Sequence, residues 1–345
     1  MIRASSHSAL ALGLWAAAVA VNPVQAETPA ARVEVNTAAR EIAKQVGFGP
    51  EDVAKVESGE VLTRQLRDEA KKELSVVLFA LVPITAAEAQ ERFKTDAMLE
   101  ADTTILDWGT IGDNVSGATF AKLRLPADEL AKLAGKDVDD DFNLSGDELA
   151  LLEKRKSAAK SDADRKNAAM ETYREILAGR VNAYRSKGLA GVMPYKHGSD
   201  ESSPRKDLES ALPVKGGVVQ REAPGFYDYL HGYPNGGSAA NAKLVWLLQV
   251  LNGRPAVILA HRAESPGDNA TVFAQRDFFV GHTFDALQVL GGLVPVGEHE
   301  SALFYTNSTF TEQVAGFGSG AAHGIGRKIM TKEILGLFEA VKKGL

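Results

Sequence analysis

KLVWLLQVLNGRPAVILAHRA, Lys243 to Ala263, sets the pair Asn252-Gly253 between two apolar runs. Asn-Gly takes up the two positive φ values of a type I′ turn at low cost, and that turn matches the twist of two antiparallel strands. The stretch therefore reads as a long hairpin. VFAQRDFFVGHTFDAL, Val272 to Leu287, continues it as a further strand, and SALFYTNSTF, Ser301 to Phe310, follows as another. Upstream, EVLTRQL and KELSVVLFALVPI read as two strands divided by the charged RDEAKK, and TTILDWGTI and ATFAKLRL as two more.

Helical patterns surround these strands. TAAREIAKQVGF carries Ala39, Ile42, Ala43 and Val46 on one stripe, and GPEDVAKVESG has proline and acids in its first turn with Gly59 beyond its end. Thr85 with Glu88 has the spacing of a capping box, in which each residue satisfies a free donor of the helix start. Pro126 and Gly135 bracket a short helix, and Tyr173, Leu177, Val181 and Tyr184 share a stripe on a long helix over 162–187. HGSDESSPRKDL reads as a flexible loop near 197–208, and GFGSGAAHGIGRK as a hinge before the last helix. In that helix Ile325, Ile329, Leu337, Phe338 and Val341 recur at helical spacing. The fold class that results is α+β: a curved antiparallel sheet wrapped around a C-terminal amphipathic helix, with small N-terminal cap helices over 27–58 and a single domain over 59–345.

Composition supplies an address. Arg3, the apolar run ALALGLWAAAVAV and the small-residue end VQA have the order of a cleavable signal peptide, with cleavage expected after Ala26 and a periplasmic or secreted destination. The apolar run is shorter than the ~20 residues a membrane helix needs, so no transmembrane segment is expected. With no cysteine there are no disulfides and no thiolate metal site. A formal charge of −6 sets up no field that attracts nucleic acid.

The motifs that could carry chemistry are few. DVDDDFNLSGDE puts Asp137, Asp139, Asp141, Ser145 and Glu148 at calcium-ligand positions of an EF-hand loop. Its sixth position, normally glycine, is Phe142, for which a positive φ is costly. The favoured reading is an acidic turn, a short strand DFNLS and a helix begun by Ser145, with no metal and no cofactor. Asn307-Ser308-Thr309 matches a glycosylation acceptor, a pattern frequent by chance. In the strand after Val272, period two puts Val272, Ala274, Arg276, Phe278, Val280, His282 and Phe284 on one face and Phe273, Gln275 and Asp277 on the other. An apolar wall with a few convergent polar groups suits a cavity for a hydrophobic ligand. Arg276 and His282 are then the groups that orient the ligand, with Phe278, Phe284 and Tyr305 on the wall.

The blocks ILDWGTI, LRLPADELAKL, DDDFNLSGDELALLEK, AYRSKGLAGVMPY, APGFYDYLHGYP, NGRPAVILAHRA, FFVGHTFDAL and ALFYTNSTFTEQVAGFG resemble, in order, those of a family of exported bacterial proteins with no assigned activity. The strand VLFALVPI with the helix after it, the long antiparallel strands and the terminal helix GRKIMTKEILGLFEAV also look like the helix-grip arrangement of START-type lipid-binding domains. That second resemblance implies a lipid or other hydrophobic small molecule held between sheet and terminal helix. The alternatives are a hydrolase or isomerase using His282 with Asp285 or Arg276 nearby, and an envelope interaction module without a pocket.

Overall fold

The computed structural model describes residues 34–66, 71–267, 269–315 and 319–342. The signal-peptide expectation falls outside them. Two helices come first, α1 (Thr37–Gln45) and α2 (Pro50–Glu57), then β1 (Leu62–Gln65) and β2 (Glu73–Val82). After α3 (Ala86–Lys94) and α4 (Ala97–Ala101) comes β3 (Ile105–Ile111). A helical stretch follows: α5 (Ala127–Leu133), α6 (Val138–Asp141), α7 (Gly146–Ser157) and α8 (Asp162–Lys187). The short pair β4 (Tyr195–His197) and β5 (Asp200–Ser202) leads to α9 (Pro204–Ser210), α10 (Val218–Glu222) and α11 (Pro224–Gly232). Five long consecutive strands follow, β6 (Ala240–Leu251), β7 (Arg254–Pro266), β8 (Thr271–Val280), β9 (Ala286–Pro295) and β10 (Ser301–Phe310), and α12 (Ser319–Lys342) comes last.

The fold is α+β, and its main sheet has eight antiparallel strands in the order β1-β2-β10-β9-β8-β7-β6-β3. Strands β6 to β10 form a meander. Asn252 at φ 53 and Gly253 at φ 76 make its first turn, as the Asn-Gly pair requires. Thr85 and Glu88 close their capping box through backbone bonds of 3.1 and 2.8 Å. One face of the sheet carries Leu74, Val76, Leu78, Val245, Leu247, Ile258, Phe273, Val289 and Leu303, packed with Phe93 of α3 and with Met330 and Ile334 of α12. The opposite face carries Trp246, Leu248, Val257, Leu259 and Phe278 under α8, and Val77, Phe79, Val272 and Ala274 under α1, α2, α10 and α11. Layers on both sides make β8 buried along its whole length.

Several sequence expectations give way. ATFAKLRL is no strand: Gly117–Phe120 is a 3-10 turn opened by Ser116, and Phe120 and Leu123 pack into the α8 layer. DFNLS is not a strand either, because α6 ends at Asp141 and Ser145 caps α7. The loop near 197–208 is the β4–β5 hairpin, turning at Gly198 with φ +57, followed by α9 with Pro204 in its first turn. In α12 the buried line is Gly326, Met330 and Ile334, whereas Ile325 is exposed. The helix lies so close to β2 that a Cβ on Gly326 would stand 2.9 Å from Leu74 Cδ1.

Gly188 at the end of α8 has φ +57, and a Cβ there would stand 1.9 Å from the Tyr233 carbonyl oxygen. Gly47 also has positive φ, +95, but opens onto empty space. Gly47→Ala should cost about 1–2 kcal/mol for the left-handed backbone alone, and Gly188→Ala distinctly more. Urea unfolding of both variants checks this; equal midpoints would contradict the packing described.

Candidate functional site

The meander places polar side chains on both buried faces of the sheet, and the two sets differ in how well they are satisfied. On the α8 face, His261 accepts and donates between two tyrosines: Tyr184 Oη lies 2.8 Å from Nδ1 and Tyr229 Oη 2.9 Å from Nε2. Arg276 donates to Gln288 Oε1 at 3.0 Å, to Tyr184 Oη at 3.2 Å and to the Leu230 carbonyl at 3.1 Å. Burial, with the nearby Arg276 charge, drops the His261 pKa to about 3, so the ring is neutral. All three guanidinium nitrogens and both imidazole nitrogens are thus used up by the protein. Arg276 ties α8 and α11 to the sheet and is not poised to receive a ligand.

The α12 face is different. Arg262 is wholly buried, its guanidinium stacked on the Phe93 ring at 4.6 Å, and its Nη1 donates to Asp96 Oδ1 at 2.8 Å. Lys243 also ion-pairs with Asp96. Nε and Nη2 of Arg262 have no partner among the protein atoms. Register puts Gln275 directly across from Arg262, and Asp277 two residues further along the same face. Gln275 Nε2 donates to Asp277 Oδ1 at 3.0 Å, leaving Gln275 Oε1 unpartnered. Glu264 binds Asn241 through one oxygen and leaves Oε2 unpartnered. On β10, Thr309 and Asn307 relay to the Tyr305 hydroxyl. Burial pushes the Asp277 carboxyl up to about 7 against the pull of Gln275 and Arg262. Burial likewise raises Glu264 to about 7, partly offset by Asn241 and Lys243. For Arg262 burial outweighs the attraction of Asp96 and lowers it to about 10, so it stays charged at neutral pH.

A third polar region lies at the end of the sheet, in a cleft of about 410 Å³ lined by Asp141, Asn143, His197, Arg254, His282, Thr283, Asp285 and Glu312, among others. Asn143 holds its wall: Nδ2 donates to the carbonyls of Val280 and Phe284 at 2.9 and 3.0 Å. His282 binds the Pro255 carbonyl and Thr283 Oγ1, while Asp285 binds Lys72 at 2.7 Å. Burial raises Asp285 although Lys72 opposes it; Lys72 is itself held above its ordinary pKa, against burial, by Asp285 and Asp207.

The residues picked from the sequence are therefore scattered. The register shifts between Leu259 and Ala260, leaving Phe278 unopposed as a bulge. That extra residue breaks the period-two reading. Arg276 and Phe278 stay on the α8 face, Phe278 stacked on Tyr184 at 4.0 Å, while Phe284 and Tyr305 join the α12-side cluster. His282 lies past the end of β8, in the cleft with Asp285. The EF-hand spacing falls on other elements: Asp139 and Asp141 belong to α6, Asp137 stands just before it, and Glu148 completes the capping box of α7 while pairing with Arg180. Among the described residues no three His, Asp or Glu side chains are grouped to hold a metal ion. Asn307 of the glycosylation pattern is buried in β10.

The unfolded chain releases the Asp277 proton near pH 4, whereas the folded chain keeps it to about 7. Across that window the native state binds the extra proton, so this group's contribution to stability declines as pH rises and levels off above the folded pKa. Asp277→Asn should therefore gain in melting temperature over the parent as pH goes from 4 to 8; a pH-independent difference would be inconsistent with a protonated, buried Asp277. No protein-family model, curated protein or solved structure matches the chain.

Proposed function

We propose that this is an exported carrier that binds an amphiphile with a carboxylate head on the α12 face of the sheet, in a helix-grip-like site between the sheet and α12. The observation that carries the reading is the pair of unpartnered nitrogens on Arg262. Nε and Nη2 lie along one edge of the guanidinium and present two parallel N–H bonds. That geometry fits the two oxygens of a carboxylate. A buried guanidinium with two donor nitrogens unused is costly, and a ligand that binds both nitrogens offsets much of the loss. Asp277 and Glu264, protonated for part of the time near neutral pH, add donors beside it, and Gln275 Oε1 offers an acceptor for a hydroxyl. The apolar side chains Phe273, Leu287, Val289, Met330 and Ile334 on the same face provide the surface for the ligand's tail.

Dodecanoate and dodecanol share a tail and differ in the head, which makes them suitable probes. Arg262→Met keeps the side-chain volume and leaves Asp96 paired with Lys243. This variant should bind dodecanoate roughly 10- to 100-fold more weakly, the range expected for a charge-assisted pair, with dodecanol affinity nearly unchanged. Arg276→Met serves as the comparison for a buried arginine without a ligand role. Titration followed by calorimetry reads both; an equal loss for the two probes in Arg262→Met, or none, would overturn the assignment. Native mass spectrometry of protein taken from the exported fraction tests the address and the natural cargo together.

A further inference from the structure

Among the described non-glycine residues with positive φ, Asp96, Asn241 and Asn252 are types that tolerate it, and Thr283, at φ 81, is not. A β-branched residue in that region is strained by roughly 1–3 kcal/mol. The surroundings hold it there. Thr311 Oγ1 and Gln313 Nε2 both donate to its carbonyl at 3.2 Å, and Asn143 clamps the turn on either side. What the strain achieves is placement: Thr283 Oγ1 sits 2.6 Å from His282 Nδ1, at the wall of the end cleft.

The proton positions in this pair follow from chemistry. The Pro255 carbonyl can only accept, so Nε2 of His282, 2.9 Å away, carries the hydrogen. Burial, only partly countered by that carbonyl, lowers the ring's pKa to about 4, so it is neutral at pH 7. In a neutral ring with Nε2 protonated, Nδ1 is a free base, and the Thr283 hydroxyl donates to it. Nucleophile, base and a third group that fixes the base's tautomer are thus in line, with a carbonyl in the orienting place. Thr283 is also partly exposed, whereas His282 behind it is buried.

We propose that Thr283 and His282 form a nucleophile–base pair that hydrolyses small carboxylic esters entering the end cleft. Thr283 Oγ1 bonds to the ester carbonyl carbon while its proton passes to His282 Nδ1. The carbonyl electron pair moves to oxygen, giving a tetrahedral adduct. The ester C–O bond then breaks, the leaving alkoxide takes the proton from Nδ1, and an acyl-threonine remains. Water attacks that acyl group, gives one proton to Nδ1, and Oγ1 departs with it, so ester and water become acid and alcohol. Lys72 pairs with Asp285 and Glu312, and Arg254 with Asp141, yet the four acids Asp140, Asp141, Asp285 and Glu312 still outnumber these two cations, which selects uncharged or cationic esters over anionic ones.

The test uses the full chain with p-nitrophenyl acetate. A burst of p-nitrophenolate and an acetyl group mapped to Thr283 by peptide mass spectrometry are expected. Thr283→Ser, which keeps the hydroxyl and relieves β-branching, should retain the burst; Thr283→Ala and His282→Gln should lose it while keeping the parent's near-ultraviolet circular dichroism. Should either loss variant fail to fold, the acetyl position in the parent and in Thr283→Ser still decides the matter. Acetylation confined to surface lysines, or a burst unchanged in folded Thr283→Ala, would overturn the proposal. Mono-p-nitrophenyl succinate, which is anionic, should react more slowly than the acetate; a faster reaction would overturn the charge selection.

Discussion

Ten consecutive residue pairs join β2 to β10, from Glu73 with Phe310 to Val82 with Ser301. This ladder links chain segments more than two hundred residues apart and sets the rest of the molecule around it. It adds β1 and β2 to one side of the meander, as β3 does on the other through β6. It also presents Leu74 to Gly326 of α12, whose missing Cβ lets that helix come down onto the sheet. Because β2 is buried on both faces, every alternate residue must suit one of two different layers, and a slip of one residue would exchange them.

The two buried arginines of the meander show what that constraint does to polar groups. Arg262 and Arg276 lie on neighbouring strands, their backbones one register step apart, and point to opposite faces. Arg276 meets a tyrosine, a glutamine and a helix-end carbonyl and becomes part of the scaffold. Arg262 meets a single aspartate and an aromatic ring, and two of its nitrogens go without a partner. Both arginines lie under helices; what separates them is the supply of acceptors. A cation in low dielectric binds strongly whatever completes its hydrogen bonds, which is why the proposed carrier reading puts its ligand at the less satisfied of the two.

Much of the fold could be read from local rules. The helix over 162–187 appears with those bounds because Ser161 caps it and Gly188 ends it, and the hairpin at Asn252-Gly253 follows from backbone sterics alone. The sites could not be read in that way. In a strand with one wet face, alternation tells inside from outside; β8 is buried along both faces, so alternation separates two sets of residues without saying which one faces a ligand. The bulge at Phe278 has no sequence mark, and it shifts Val280 to the other face. Arg262 falls inside the strand that AVILAHRA predicts, and the sequence mark it carries is Glu264 two residues on, which period two puts on the same face. Asn143, read as part of the short strand DFNLS, clamps a turn 137 residues away, a contact that only tertiary structure creates.

The strand order also dictates a timetable. Synthesis runs from the N-terminus, so β1, β2 and β3, which end up along the two margins of the sheet, are made before the five strands that separate them. Until residues 301–310 have left the ribosome, β2 has no neighbour on its inner side, and its row of apolar side chains and open amides is a template for any extended chain nearby. The centre of this sheet arrives last, and its early margins must be kept apart from other chains until it does.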